Sequence, residues 1–146
     1  MKKYILLIVF LTIIGCKTNE CEDIACFTPP QPFIFELVDG VSGDNLFSIG
    51  QLDSNEIKII NEVLDPVSFT FISENEYNLI DLSEIGWNMS LAYYTVKIED
   101  IEFTITLEME EKHENCCNFF NVKQFDISNY EFEQSNTTGI YTIKID

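Results

Sequence analysis

The side chains in this sequence best suited to chemistry are a few thiols and one imidazole. His113 precedes Cys116 and Cys117 by three and four positions, and Cys21 and Cys26 lie far upstream. Such groups could bind a soft metal ion, or could form a cysteine nucleophile with a histidine base. However, side chains of adjacent residues diverge on a strand, and no second histidine is present. We therefore predict neither a metal site nor a catalytic cysteine.

No other part of the sequence has the spacing of a catalytic motif. It contains no G-x-S-x-G elbow, no phosphate-binding glycine loop and no H-E-x-x-H pair. Carboxylates are abundant, but none of their spacings marks an acid–base pair. The sequence therefore predicts a protein that is not an enzyme and that needs no cofactor.

The four cysteines after Cys16 favour disulfide bonds. Their number is even, and an exported protein meets an oxidising environment. Of the three possible pairings, two join the pair Cys21 and Cys26 to the pair Cys116 and Cys117, closing loops of about ninety residues. The third requires a strained bridge between adjacent cysteines, which is rare. We expect cross-pairing, with both cross-paired arrangements open, and it would pin the N-terminal segment to the domain.

Two other features could form binding sites. Asp39, Asp44 and Asn45 surround Gly40 and Gly43 and could offer oxygen ligands to calcium. Because no EF-hand pattern is present, we expect these residues to shape the backbone of a turn instead.

The only tryptophan, Trp87, could be either a core residue or an exposed binding platform. Large aromatic side chains are usually well buried, so the sequence favours the core.

The N-terminus has the layout of an export signal. Lys2 and Lys3 precede an apolar run, Tyr4 to Ile14, that is too short to span a bilayer. The run ends in Ile13-Ile14-Gly15-Cys16, which resembles the lipobox of bacterial lipoproteins. The resemblance implies cleavage before Cys16 and a diacylglyceryl group on its sulfur. Lys17 stands where the family's inner-membrane retention signal places Asp, which favours the outer membrane.

Strong acidity limits the possible partners. The net charge is −17, and removal of residues 1 to 15 would bring it to 6 − 25 = −19. The negative electrostatic potential of such a protein repels phosphate backbones, and the chain has no arginine. We therefore predict no nucleic-acid partner. The excess of acid attracts basic protein surfaces, but solubility and a solvated surface are the favoured explanation of it.

Alternating apolar residues predict strands through most of the chain after its prolines. Pro29, Pro30 and Pro32 favour an extended segment, so we divide the chain into a signal peptide (1–15), a lipidated tether (16–32) and one folded domain (33–146). Within the domain the pattern predicts strands at 33–38, 46–49, 67–72, 93–98, 101–110 and 140–145. Ser54 to Asp65 fits either a short helix or a strand through Ile57 and Ile59. The expected fold is an all-β antiparallel β-sandwich, immunoglobulin-like or transthyretin-like.

Four short segments together resemble a group of small bacterial lipoproteins of unknown function. They are Gly43-Asp44-Asn45-Leu46-Phe47, Ile85-Gly86-Trp87, Glu114-Asn115-Cys116-Cys117 and Thr138-Gly139-Ile140-Tyr141. The resemblance spans nearly the whole chain and implies a lipidated, β-rich domain, but no activity. We expect a non-catalytic binding or structural module of the cell envelope, attached to the membrane by its lipid, with a possible protein or glycan partner. One alternative is an inhibitor or immunity-type lipoprotein that captures a basic protein. Another is a small hydrolase, which would need a cleft with a perturbed acid or base.

Overall fold

Period-two alternation of apolar residues produces the strands that dominate the structure. The computed structural model describes residues 26–74, 77–114 and 116–146. Its strands are β1 (Phe27–Thr28), β2 (Ile34–Asp39), β3 (Ile57–Asn61), β4 (Thr70–Glu74), β5 (Tyr77–Asp81), β6 (Ala92–Ile98), β7 (Ile101–Glu114), β8 (Cys117–Ile127), β9 (Glu131–Gln134) and β10 (Tyr141–Ile145). Two 3₁₀ turns, Ser54–Glu56 and Ser83–Trp87, complete the regular structure of the described residues.

The strands form two five-stranded sheets. The first sheet has the order β1-β8-β7-β6-β3 and the second β4-β5-β2-β10-β9. Neighbouring strands are antiparallel except for β1 with β8 and β2 with β10, which are parallel. The predicted β-sandwich is confirmed, with one parallel pair in each sheet.

One hydrophobic core lies between the sheets. Alternate residues of β7, namely Phe103, Ile105, Leu107 and Met109, are buried, as are Phe35 and Leu37 of β2 and Tyr141 and Ile143 of β10. No polar or charged residue is buried within the described ranges. The core is therefore apolar throughout that part of the chain, and polar chemistry is confined to the surface.

Two local predictions are corrected by the structure. The segment predicted as a strand at 46–49 forms turns, because Asn45 makes only a single bridge to Val38 before the chain bends. The helix considered for 54–65 is wrong after its first turn. Its Ser54–Glu56 turn is capped by Asp53, and the strand alternative through Ile57 and Ile59 is confirmed by β3.

The two ends of the sandwich differ in chemistry. One end collects the β6–β7 and β4–β5 connections, the loop after β2 and the C-terminus. We call it the carboxylate end, after Asp39, Asp44, Asp53, Glu74, Glu99, Asp100 and Asp146. The opposite end, the aromatic end, contains β1, the Ser83–Trp87 turn and the tip of the β7–β8 hairpin. The chain enters the described structure at the aromatic end.

Candidate functional site

A disulfide fixes the start of the described chain to the hairpin tip. Cys26 is bonded to Cys117, 91 positions away, with Cα atoms 4.6 Å apart. Cross-pairing is therefore confirmed for this bond, and Cys116 is disulfide-bonded as well. Cys16, the predicted lipid site, and Cys21 lie outside the described residues.

Part of the predicted tether belongs to the first sheet. Directly after Cys26, Phe27 and Thr28 pair with Asn118 and Phe119 of β8. Gln31 donates a hydrogen bond of 2.8 Å to the hydroxyl of the buried Tyr141. The tether residues that the structure describes are thus attached to the domain, as the disulfide prediction required.

Three aromatic rings form a cluster beside this disulfide, with two rings exposed and the third, Phe120, partly buried against the core. The rings of Phe27 and Trp87 stack with centroids 6.0 Å apart and an interplanar angle of 10°. Phe120 meets both rings edge-on, at 5.9 Å from Phe27 and 5.5 Å from Trp87. Phe27 is 60% exposed and Trp87 47% exposed, so the prediction that Trp87 is a core residue is wrong. We call these three residues the aromatic cluster.

Close packing beneath Trp87 explains why its ring faces outward. A Cβ atom on Gly86 would lie 2.9 Å from Cβ of Pro30 and 3.0 Å from the Phe33 ring. The backbone of the 3₁₀ turn therefore lies directly on these residues, with Ile85 and Gly86 buried and Trp87 projecting away. The local sequence Ile85-Gly86-Trp87 thus presents the tryptophan instead of burying it.

A row of polar side chains borders the cluster. Phe27, Asn118 and His113 are direct neighbours across three strands, and Phe120 is paired with Glu111 in the next row of the same face. The amide of Asn118 donates to Glu111 at 3.1 Å, and its oxygen contacts Nδ1 of His113. The arrangement can offer apolar contact from the rings and hydrogen bonds from the rim.

Among the described residues, His113 and Cys117 do not form a metal site. Cys117 is paired with Glu114, one row further along the hairpin than the His113–Asn118 pair, so it projects from the opposite face. Its sulfur is also committed to Cys26. In the described ranges, no three His, Cys, Asp or Glu residues are arranged to hold a metal ion.

Asp39 and Asn45, two of the residues considered as calcium ligands, accept hydrogen bonds from backbone amides of the turn. An oxygen of Asp39 accepts hydrogen bonds from the amides of Val41 and Ser42, and Asn45 does the same for Phe47 and Ser48. These amide hydrogen bonds, with Ser42 first, hold the pKa of Asp39 below its ordinary value. The role in turn formation predicted from the sequence is confirmed for Asp39 and Asn45.

A shallow depression also lies at the carboxylate end, with a volume of about 340 Å³. Phe47 and Phe71, whose rings meet edge-on at 5.0 Å, line it together with Asp53 and Glu99. The Glu99 carboxylate accepts from the amide of Asp53, and Asp53 caps the following turn. Both carboxylates therefore already accept hydrogen bonds from nearby backbone amides.

Comparison of the chain with protein-family models, curated proteins and solved structures finds no match. None of the helical segments in the described part of the chain has the length and apolar character needed to cross a bilayer.

Proposed function

We propose that this chain is a membrane-anchored lipoprotein whose β-sandwich is a non-catalytic binding or structural module of the cell envelope. The observation that carries the proposal is the exposed aromatic cluster at the end where the N-terminal segment joins the domain. Solvent-exposed rings with a polar rim are typical of contact surfaces, because they offer a large apolar area at low cost in conformational entropy. The resemblance of Cys16 and its preceding residues to a lipobox supports the anchor, and the disulfide is consistent with export.

A site-specific crosslink would test the binding role. Phe27→p-benzoylphenylalanine places a photoreactive group in the cluster with little change of shape, and Trp87 stays in place. Val41, which is 97% exposed at the carboxylate end, is the matched control position. In intact cells we expect an adduct to a protein, a glycan or a lipid from position 27 and none from position 41. An absence of adducts from both positions would contradict a binding role.

A second candidate function is favoured by the distribution of charge. Each of the five lysines in the described ranges lies within 3.8 Å of a different carboxylate, namely Glu56, Glu102, Glu110, Glu108 and Glu133. The same ranges hold 21 acidic residues, so 21 − 5 = 16 carboxylates have no lysine partner. Seven of them form the carboxylate end, a surface that would speed association with a basic protein.

The same crosslinking experiment separates the two candidates. Capture of a basic protein predicts a protein adduct from position 41, whose yield falls steeply as salt is raised. An adduct confined to position 27 and insensitive to salt would favour the aromatic cluster instead and would overturn the capture function.

A further inference from the structure

The aromatic cluster lies where the predicted lipid anchor would hold the protein against a bilayer. We propose that Phe27, Trp87 and Phe120 sit in the lipid–water interface of the membrane that carries the anchor. This inference rests on the proposed lipid attachment at Cys16 and names the partner of the aromatic cluster as the bilayer surface.

The connection between anchor and cluster is short. Cys26 comes ten positions after Cys16, a span of at most about 36 Å when fully extended. Cys26 is fixed to Cys117, and the next residue, Phe27, already belongs to the cluster. The tether therefore ends at the aromatic cluster and not elsewhere on the domain, so an anchored domain has this surface within reach of the bilayer.

The chemistry of the cluster suits an interface. Tryptophan concentrates at the level of the headgroups, because its ring is apolar and its N–H needs a polar partner. The rim residues Glu111, His113 and Asn118 add hydrogen-bonding groups beside the rings. Because the tether keeps the cluster at a high local concentration near the membrane, even a weak affinity for the interface suffices.

The charge distribution favours an orientation of the domain with its aromatic end towards the membrane. With the aromatic end on the membrane, the carboxylate end points away from it, which reduces repulsion by anionic headgroups. The remaining acids near the cluster, such as Glu111 and Glu114, still disfavour anionic lipid. We therefore expect the cluster to insert more fully into phosphatidylcholine than into phosphatidylglycerol.

Fluorescence of the only tryptophan tests the proposal directly, because Trp87 is itself in the cluster. The full protein is purified from its own membrane, its intact mass is measured, and it is reconstituted into phosphatidylcholine vesicles. We expect acyl-chain-brominated lipid to quench Trp87 and acrylamide to quench it severalfold less than in a protein that starts at Lys17, which has neither the apolar run nor the cysteine to be acylated.

Two variants keep Trp87 and serve as matched controls. Phe27→Ser removes an exposed ring of the cluster and should weaken quenching by brominated lipid. Tyr93→Ser removes a ring of similar exposure, 43%, outside the cluster and should leave the quenching unchanged. Equal quenching in both variants would overturn the assignment of the cluster.

The outcomes separate this inference from the proposed function. An unacylated chain would overturn both. An acylated chain whose Trp87 stays open to acrylamide on vesicles would overturn the inference alone. If such a water-accessible Trp87 then responds to soluble oligosaccharides, the cluster is a glycan site and not a membrane contact.

Discussion

At Asp39 the backbone amides of Val41 and Ser42 point at one carboxylate oxygen, at distances of 3.0 and 2.7 Å. An ionised carboxylate accepts such bonds more strongly than a neutral group, which is why the pKa of Asp39 is lowered. The sequence predicted this role, because Asx residues next to glycines in a turn usually determine the backbone geometry of the turn.

The difference in stability between wild type and Asp39→Asn should depend on pH. The amide side chain of the variant would keep an acceptor oxygen but lose the charge. Because the folded-state pKa of Asp39 is lowered, wild type should be more stable than Asp39→Asn above the ordinary pKa of 3.8, and the advantage should vanish as pH falls through the folded-state value. Urea unfolding of both proteins between pH 7 and pH 2 measures this difference, and one that stays constant over that range would contradict the assignment.

Gly86 controls the position of Trp87. Because an alanine Cβ at residue 86 would meet Pro30 and the Phe33 ring, Gly86→Ala should cost about 1 to 3 kcal/mol of unfolding free energy. The displaced turn should also change the emission of Trp87. The control is Gly50→Ser, at a position with open space around it but a left-handed backbone. It should lower stability through the backbone while leaving the Trp87 emission unchanged.

At the scale of elements, β7 shows how well alternation predicts a strand. The alternation in the sequence places Ile101, Phe103, Ile105, Leu107 and Met109 on one face. The structure buries the last four and leaves Ile101 partly exposed. Leu107→Ala should therefore cost about 2 to 5 kcal/mol, because it removes buried atoms and leaves a cavity. The neighbouring Thr106→Ala, on the outer face, should cost far less. Equal costs in chemical unfolding would mean that the register of β7 is wrong.

The strand β8 is an edge strand for most of its length, and its sequence contains features that discourage pairing with another sheet. Because β1 pairs only with Asn118 and Phe119, β8 has no outer neighbour from Phe120 onward within the described chain. Lys123 lies at a bulge there, exposed and bonded to Glu108 at 2.6 Å. A bulge and a lysine are two devices that discourage the pairing of sheet edges.

Removal of that lysine should expose the edge. We expect Lys123→Val to cause concentration-dependent association, measured by sedimentation. Lys97→Val makes the same change of charge on β6, an interior strand that lies between β3 and β7. Lys97→Val should stay as dispersed as wild type, and association of both variants to the same degree would indicate a general effect of charge instead.

The same bulge explains why the sequence did not reveal β8. Phe120 and Val122 alternate normally, but the next inward residue, Phe125, comes three positions later because Lys123 is the extra residue. β5 was missed because Leu79 and Ile80 are both buried, so its pattern does not alternate. β9 is short and largely polar. The strands with unbroken period-two patterns, β6, β7 and β10, were predicted to within a few residues.

At the scale of the whole molecule, the candidate site could not be read from the sequence because three distant segments build it. Phe27, Trp87 and Phe120 share no local pattern. Their one common signal is position: Phe27 follows Cys26, and Phe120 lies three residues after Cys117. Once these cysteines are paired, the two phenylalanines share one sheet face. The Trp87 ring projects towards the two phenylalanines because Gly86 packs directly against Pro30 and Phe33.

The disulfide between Cys26 and Cys117 closes a loop of 91 positions, which includes most of the domain. Chain-entropy estimates assign about 4 to 5 kcal/mol to a single crosslink of this length. The bond also fixes Cys26, where the described chain begins, at the aromatic end. If Cys16 carries the proposed lipid, the anchor would attach at the same end of the domain as the crosslink and the exposed rings.

The intact mass of the protein extracted from its native membrane, taken without reducing agent, tests this arrangement most directly. The account predicts a chain that begins at a diacylated Cys16 and has no free thiol. A chain that retains residues 1–15, or that begins at Cys16 without lipid, would contradict the membrane-anchored module. Reactive thiols at Cys26 and Cys117 would contradict the crosslink that places the aromatic cluster beside the anchor.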